Sequence, residues 1–155
     1  MVIEKLKSHE LFRLLSPKEV ETISGASGVM KLTEGEHVYG DGFPATHLFV
    51  LLKGRLELQR PTKGGVSLLV DDLAEGSVFG VSSLTGMERH ILDAVCVADS
   101  EVLKIEAKAL RKVLDANPVV GYAIQQRISE IFFKRYIEAM ERLRAMVQAA
   151  AAQRS

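Results

Sequence analysis

From Met30 to Ile105 the chain reads as short strand-length runs, at 48–53, 55–59, 66–71, 90–97 and 101–105, separated by turns rich in Gly, Asp and Pro. That spacing specifies a β-barrel or sandwich. Lys63-Gly64-Gly65 stands between two of the runs and reads as a hairpin tip.

Helical periodicity takes over at both ends. Apolar residues recur at helical spacing over 3–15, and a second short helix over 18–23 starts with Ser16 as N-cap and Pro17 in its first position. After Glu106 a helix over 108–114 stops at Asp115-Ala116-Asn117-Pro118. There Asn117 caps, and Pro118 opens, a last helix reaching about residue 150. One of its rows is Ile124, Ile128, Phe132, Tyr136, Ala139, Leu143 and Met146, and an adjacent row adds Ile131, Met140 and Val147. Glu130, Lys134, Glu138, Glu141 and Arg142 give opposite charges three or four apart, a solvated face. At about 1.5 Å per residue this helix runs on the order of 50 Å, longer than a small barrel covers. The excess stripe is expected to pack on a second copy, with Ile124, Ile128, Ile131, Phe132, Met140, Leu143 and Val147 at a homodimer interface. Truncation at about Tyr122 is then expected to yield monomers.

With 155 residues, 47% of them hydrophobic, and no linker-like stretch, the chain is expected to form one domain over 1–155. Twenty basic and twenty acidic side chains cancel, which leaves no long-range pull toward nucleic acid or an acidic membrane. The single cysteine, Cys96, cannot form an intrachain disulfide, and the amino terminus lacks the apolar core of a signal peptide. No apolar run approaches the roughly 20 residues that span a bilayer. A cytoplasmic, bacterial-type protein without a membrane span is expected. His9, His37 and His47 lie on different elements at no metal-ligand spacing, so no metal site is expected. Cys96 and His90 share one face of the 90–97 run but stand six residues, at about 3.3 Å each, apart. They form no dyad; Cys96 is expected in the core, and no nucleophile or acid-base pair points to an enzyme. Glu19, Glu34, Glu36 and Asp41 are expected to be solvated charges.

The segment from Gly76 to His90 has a different character. Gly76 and Gly80 let the backbone approach closely, and the residues around Ser82 to Leu84 can form one helical turn whose free amides would face an anion. Upstream stand the runs 34–42 and 47–58, and downstream stands 99–105. In that order and at those separations the runs resemble the cyclic nucleotide-binding domain family, to which cAMP-receptor regulators, kinase regulatory subunits and gated channels belong. The resemblance extends from about Leu11 to about Val147 and rests on the glycine framework Gly35, Gly40, Gly54, Gly76 and Gly80.

It implies an α+β fold, mainly β: an antiparallel β-roll of the double-stranded β-helix or jelly-roll kind at about 30–106, flanked by N-terminal helices, with the dimerisation helix at about 118–150. It also implies a phosphate-binding cassette in which a Glu after the Phe-Gly pair holds the ribose 2′-hydroxyl and an Arg neutralises the cyclic phosphate. Here Val81 stands at the Glu position. Ungapped alignment puts His90 at the Arg position, whereas a loop one residue shorter would put Arg89 there. The implied ligand-binding set is Phe79, Gly80, Val81, Ser82, Ser83, Arg89 and His90, with Phe132, Arg135 and Tyr136 of the last helix capping the base. A neutral imidazole offers one donor where guanidinium offers a charged fork, so ordinary cAMP binding is not expected.

The resulting expectation is a stand-alone, non-enzymatic sensor that takes a nucleotide or other small anion in the cassette and signals to a separate effector protein through the last helix. A ligand-free scaffold that dimerises is the alternative, and a haem-based sensor a remote one. Only 149–155 follow the last helix, so DNA binding by a helix-turn-helix would have to come from another polypeptide.

Overall fold

The structure is a computed structural model that describes residues 2–154. Helix α1 (Val2–Ser8), a 3-10 turn (Glu10–Phe12) and helix α2 (Pro17–Ser24) precede the strands β1 (Ser27–Leu32), β2 (His37–Tyr39), β3 (His47–Lys53), β4 (Leu56–Pro61), β5 (Ser67–Leu73) and β6 (Val78–Phe79). A second 3-10 turn (Val81–Leu84), strands β7 (Asp93–Cys96) and β8 (Ser100–Glu106), and helices α3 (Ala107–Ala116) and α4 (Pro118–Ala152) complete the chain. The strands form two antiparallel four-stranded sheets, ordered β1-β8-β3-β6 and β2-β7-β4-β5.

β3 shows why the layers form. Its run Leu48-Phe49-Val50-Leu51 is buried throughout, because successive side chains alternate between the faces of a sheet covered on both sides. Phe49 and Leu51 join Tyr39, Leu56, Phe79, Cys96 and Val102 in a core between the sheets. Leu48 and Val50 join Leu103, Ile105 and the helix residues Phe12, Ile23, Leu110, Ile124 and Ile128 in a second core. Residue Gly121 sits where α4 crosses α3 closely: a Cβ there would lie 2.6 Å from the Leu114 carbonyl oxygen. The β-roll, the flanking helices and the long last helix thus match the architecture expected from the sequence.

Several local readings are corrected. The helix expected over 3–15 breaks after Ser8, where His9 turns its ring back to accept from the Leu11 amide at 3.1 Å. The other ring nitrogen bonds the Gly76 carbonyl at 2.8 Å. β1, β2 and β6 went unread; β2 and β6 have only 3 and 2 residues, too short for any periodicity. The strand expected over 90–97 begins at Asp93, so His90 precedes it and shares no strand face with Cys96. Asn117 does not cap α4 with its side chain. Instead its Nδ2 donates to Glu19 Oε2 at 3.3 Å. Glu19 is more than a solvated charge: its carboxylate accepts the Ser16 amide at 2.8 Å while Ser16 Oγ accepts the Glu19 amide at 3.2 Å, a reciprocal capping box.

α4 also divides its apolar residues differently from the expectation. Ile124 and Ile128 are buried in the protomer's own core and Ile131 packs against it, so the first two are closed to any partner. Phe132, Met140, Leu143 and Val147 are exposed, and so is Phe133, which the expected rows omit. Truncation at Tyr122 would therefore remove core side chains along with any interface.

Candidate functional site

The cassette segment is built around Gly80. Its φ of 74° is left-handed, and a Cβ would lie 2.7 Å from Phe49 Cδ2, so only glycine lets the backbone pass over the inter-sheet core into the 3-10 turn Val81–Leu84. That turn is held internally. Ser83 Oγ donates to the Gly80 carbonyl at 2.8 Å, and Arg111 of α3 donates to the Ser83 carbonyl at 2.9 Å. The Ser83 and Thr85 amides bond the carbonyls of Gly80 and Ser82. Contrary to the sequence reading, Ser83 and these two amides are spent within the turn and do not face an anion.

Beside the turn lies a cavity of about 290 Å³, lined by Tyr39, Val81, His90, Phe132, Arg135 and Tyr136, with Gly80, Ser82, Thr85, Met87, Ala139 and the aliphatic side chains of Leu58, Val70, Ile91 and Leu92 completing the wall. It gathers seven of the residues expected for ligand contact: Gly80, Val81, Ser82, His90, Phe132, Arg135 and Tyr136. Three others are elsewhere. Phe79 is fully buried between the sheets, Ser83 is engaged as described, and Arg89 turns away to donate to the Gly42 carbonyl at 2.7 Å. Between Arg89 and His90 the fold turns the histidine inward. Its ring stacks on Tyr39 with centroids 3.7 Å apart at 13°, and no protein group among the described residues hydrogen-bonds it.

Tyr39 and Asp71 are the contributors that the sequence reading missed. Asp71 is buried on β5 two residues before Leu73, on the same inward face. Its Oδ2 accepts Arg135 Nε at 2.9 Å, and its Oδ1 lies 3.8 Å from Arg142 Nη2. Arg135 also donates to the Val78 carbonyl, and Arg142 to the Val70 carbonyl. That second carbonyl is free because β5 bulges at Val70: Leu58 pairs Asp71 while Gln59 pairs Leu69. Two arginines seven residues apart on α4 thus clamp it to β5 and β6.

Burial governs the electrostatics. It pulls the Arg135 guanidinium down, with Asp71 pulling it back up, and pushes the Tyr39 phenol far above the ordinary tyrosine value. Burial also pushes the His90 imidazole below the ordinary 6.5. The unfolded chain then binds more protons than the folded chain below that value, so stability is full above pH 6.5 and falls as the pH drops from there toward the lowered folded value. His90→Gln is expected to flatten this acid slope in thermal melts, leaving the part due to His47, whose imidazole is lowered by burial and Lys104. An unchanged slope would contradict the neutral, buried state of His90.

Among the described residues no group of His, Cys, Asp and Glu is placed to hold a metal ion, and no helix is long and apolar enough to cross a membrane. Residues 29–117 match the model of the cyclic nucleotide-binding domain. The chain is 27% identical over 103 residues to the global nitrogen regulator of Synechococcus elongatus, covering 65% of this chain and 46% of that one. It is 25% identical over 117 residues to the cyclic AMP receptor protein of Thermus thermophilus, covering 76% and 54%. The chain thus spans about half the length of these curated relatives. Among solved structures, the sensor domain of the transcriptional regulator DNR from Pseudomonas aeruginosa superposes with a TM-score of 0.75 at 24% identity, covering 87% of this chain and 91% of that one.

Proposed function

Because this chain belongs to the cyclic nucleotide-binding domain family, we propose that it is a regulatory sensor module whose ligand is a compact molecule other than a cyclic nucleotide, read out through α4. One observation carries the reading: the cavity wall is shared between the cassette and α4, through Phe132, Arg135, Tyr136 and Ala139. A ligand there touches the cassette and the helix together, so it would favour whichever helix position gave it the better contacts. The ordinary ligand is disfavoured by the wall itself. Val81 presents carbon where a ribose hydroxyl would need an acceptor, and His90 presents a neutral ring where a cyclic phosphate would need a cation.

From the cavity's edge at Tyr136 outward, α4 leaves Phe133, Tyr136, Met140, Leu143 and Val147 exposed. Their alternating spacing of three and four is the seam of a two-helix coiled coil. A second copy of the chain is the partner that such a seam fits, and it would carry a change in helix angle from one protomer to the other.

Calorimetric titration is expected to give no heat with cAMP or cGMP up to millimolar concentration. The double variant Val81→Glu/His90→Arg, which restores the carboxylate and the fork, is expected to bind cAMP. Micromolar binding by the unaltered chain overturns the reading of a rebuilt site, and a folded double variant that stays silent overturns the placement of the cassette.

A further inference from the structure

Resting on that reading, we infer that the cavity selects a neutral, mainly apolar molecule, and that Asp71 is the specificity residue that excludes anions by holding Arg135 before a ligand reaches it. Of the side chains that line the cavity, Arg135 is the only one with a formal charge. It is also the wall between this cavity and a second cleft on its far side, which Asp71 and Asp72 line. That cleft mixes Asp71, Asp72 and Glu138 with Arg127 and Lys134, whereas the cavity side is otherwise uncharged and mostly carbon. Arg135 Nε is bound to Asp71 at 2.9 Å, and its Nη2 is bound to the Val78 carbonyl.

An anionic ligand would have to compete with Asp71 for the guanidinium charge, in a pair in which both side chains are nearly buried, 16% and 10% exposed, and would find only the N–H groups that Asp71 and Val78 leave unbound. Displacing Asp71 would leave its carboxylate with the Asp72 amide at 2.9 Å and the more distant Arg142 at 3.8 Å. Removing a buried charge from its partner without water to replace it is strongly unfavourable. A neutral molecule leaves the pair intact, and its apolar body matches Val81, Leu58, Val70, Ile91 and Phe132. The unbonded His90 ring supplies one polar contact for orientation. Asp71 in effect plays the anion's part from within the fold.

Two fluorescent probes with the same ring system separate the charge from the shape: N-phenyl-1-naphthylamine is neutral, and 1-anilinonaphthalene-8-sulfonate adds a sulfonate. Fluorescence titration is expected to show the unaltered chain binding the neutral probe at least about tenfold more tightly. Asp71→Asn is expected to raise sulfonate affinity about tenfold with little change for the neutral probe, and Asp71→Asn/Arg135→Gln to abolish that gain. The signals counted are those removed by Ala139→Trp, which puts an indole into the cavity from its wall. If Asp71→Asn does not fold, Arg135→Gln serves: it removes the one cation of the cavity wall, leaves the Asp71 carboxylate behind that wall with the Asp72 amide and the more distant Arg142, and is expected to weaken the sulfonate about tenfold further. Equal affinity for the two probes in the unaltered chain, or a probe preference that none of these variants changes, overturns the charge selection and leaves the sensor reading standing. If neither probe gives a signal sensitive to Ala139→Trp, both fall.

Discussion

Met140→Glu/Leu143→Glu is expected to turn a dimer into monomers at micromolar concentration while leaving the thermal midpoint of the protomer unchanged. The two side chains are 46% and 52% exposed in the protomer, so the fold loses little when they become polar. In a symmetric pair each position occurs twice, and each seam residue faces the partner's seam. Four carboxylates would then lie in an apolar contact without partners, at a cost of several kcal/mol per ion after relaxation. That weakens the dimer by at least about a thousandfold. Sedimentation of the unaltered and doubly substituted chains tests this directly. An unaltered chain that is already monomeric at micromolar concentration overturns the dimer proposal. Ile124→Glu offers the contrast: Ile124 is fully buried in the protomer, so its replacement is expected to unfold the chain rather than separate two copies.

That contrast marks where the sequence was legible. Helical spacing identified α4, its start at Pro118 and its excess of apolar surface, because a period of 3.6 persists over a long segment. It could not divide the stripe between the protomer's core and a partner, since Ile124 and Met140 look alike until the β-roll sets the end of the covered length. The glycine framework was legible for a physical reason: at Gly80 both the left-handed φ and the approach of Phe49 exclude a side chain. His90 was assigned to the cavity through a strand register, and it does line the cavity, but from an irregular segment before β7. Asp71 is illegible in a strand run that ends at it. With Leu73 included, the alternation places an aspartate on an inward face, where a charge requires a buried partner. That partner, Arg135, comes from an element 64 positions further along the chain, by the difference of the two residue numbers, and no local pattern connects them.

Asp71→Ala is expected to lower the free energy of unfolding by about 3–5 kcal/mol, and adding Arg135→Met to recover most of that loss. The large single effect comes from what is left behind. Arg135 is 16% exposed, so without Asp71 its charge is left with little water and only the longer-range pull of Glu138. Arg142, at 39% exposure, can turn outward and contributes little to the cost. Methionine in place of Arg135 removes the stranded charge while its flexible chain keeps the apolar contact with the cavity wall. The surviving deficit is the Val78 carbonyl, which loses its donor, at about 1–3 kcal/mol for a buried acceptor left unmade. Guanidinium denaturation followed by circular dichroism measures all the variants of the cycle. If the two losses simply add, Asp71 and Arg135 are independent, and α4 is held to the β-roll by packing alone. Strong coupling instead makes the pair a clamp whose strength is set by charge, which any ligand that moves the helix has to work against.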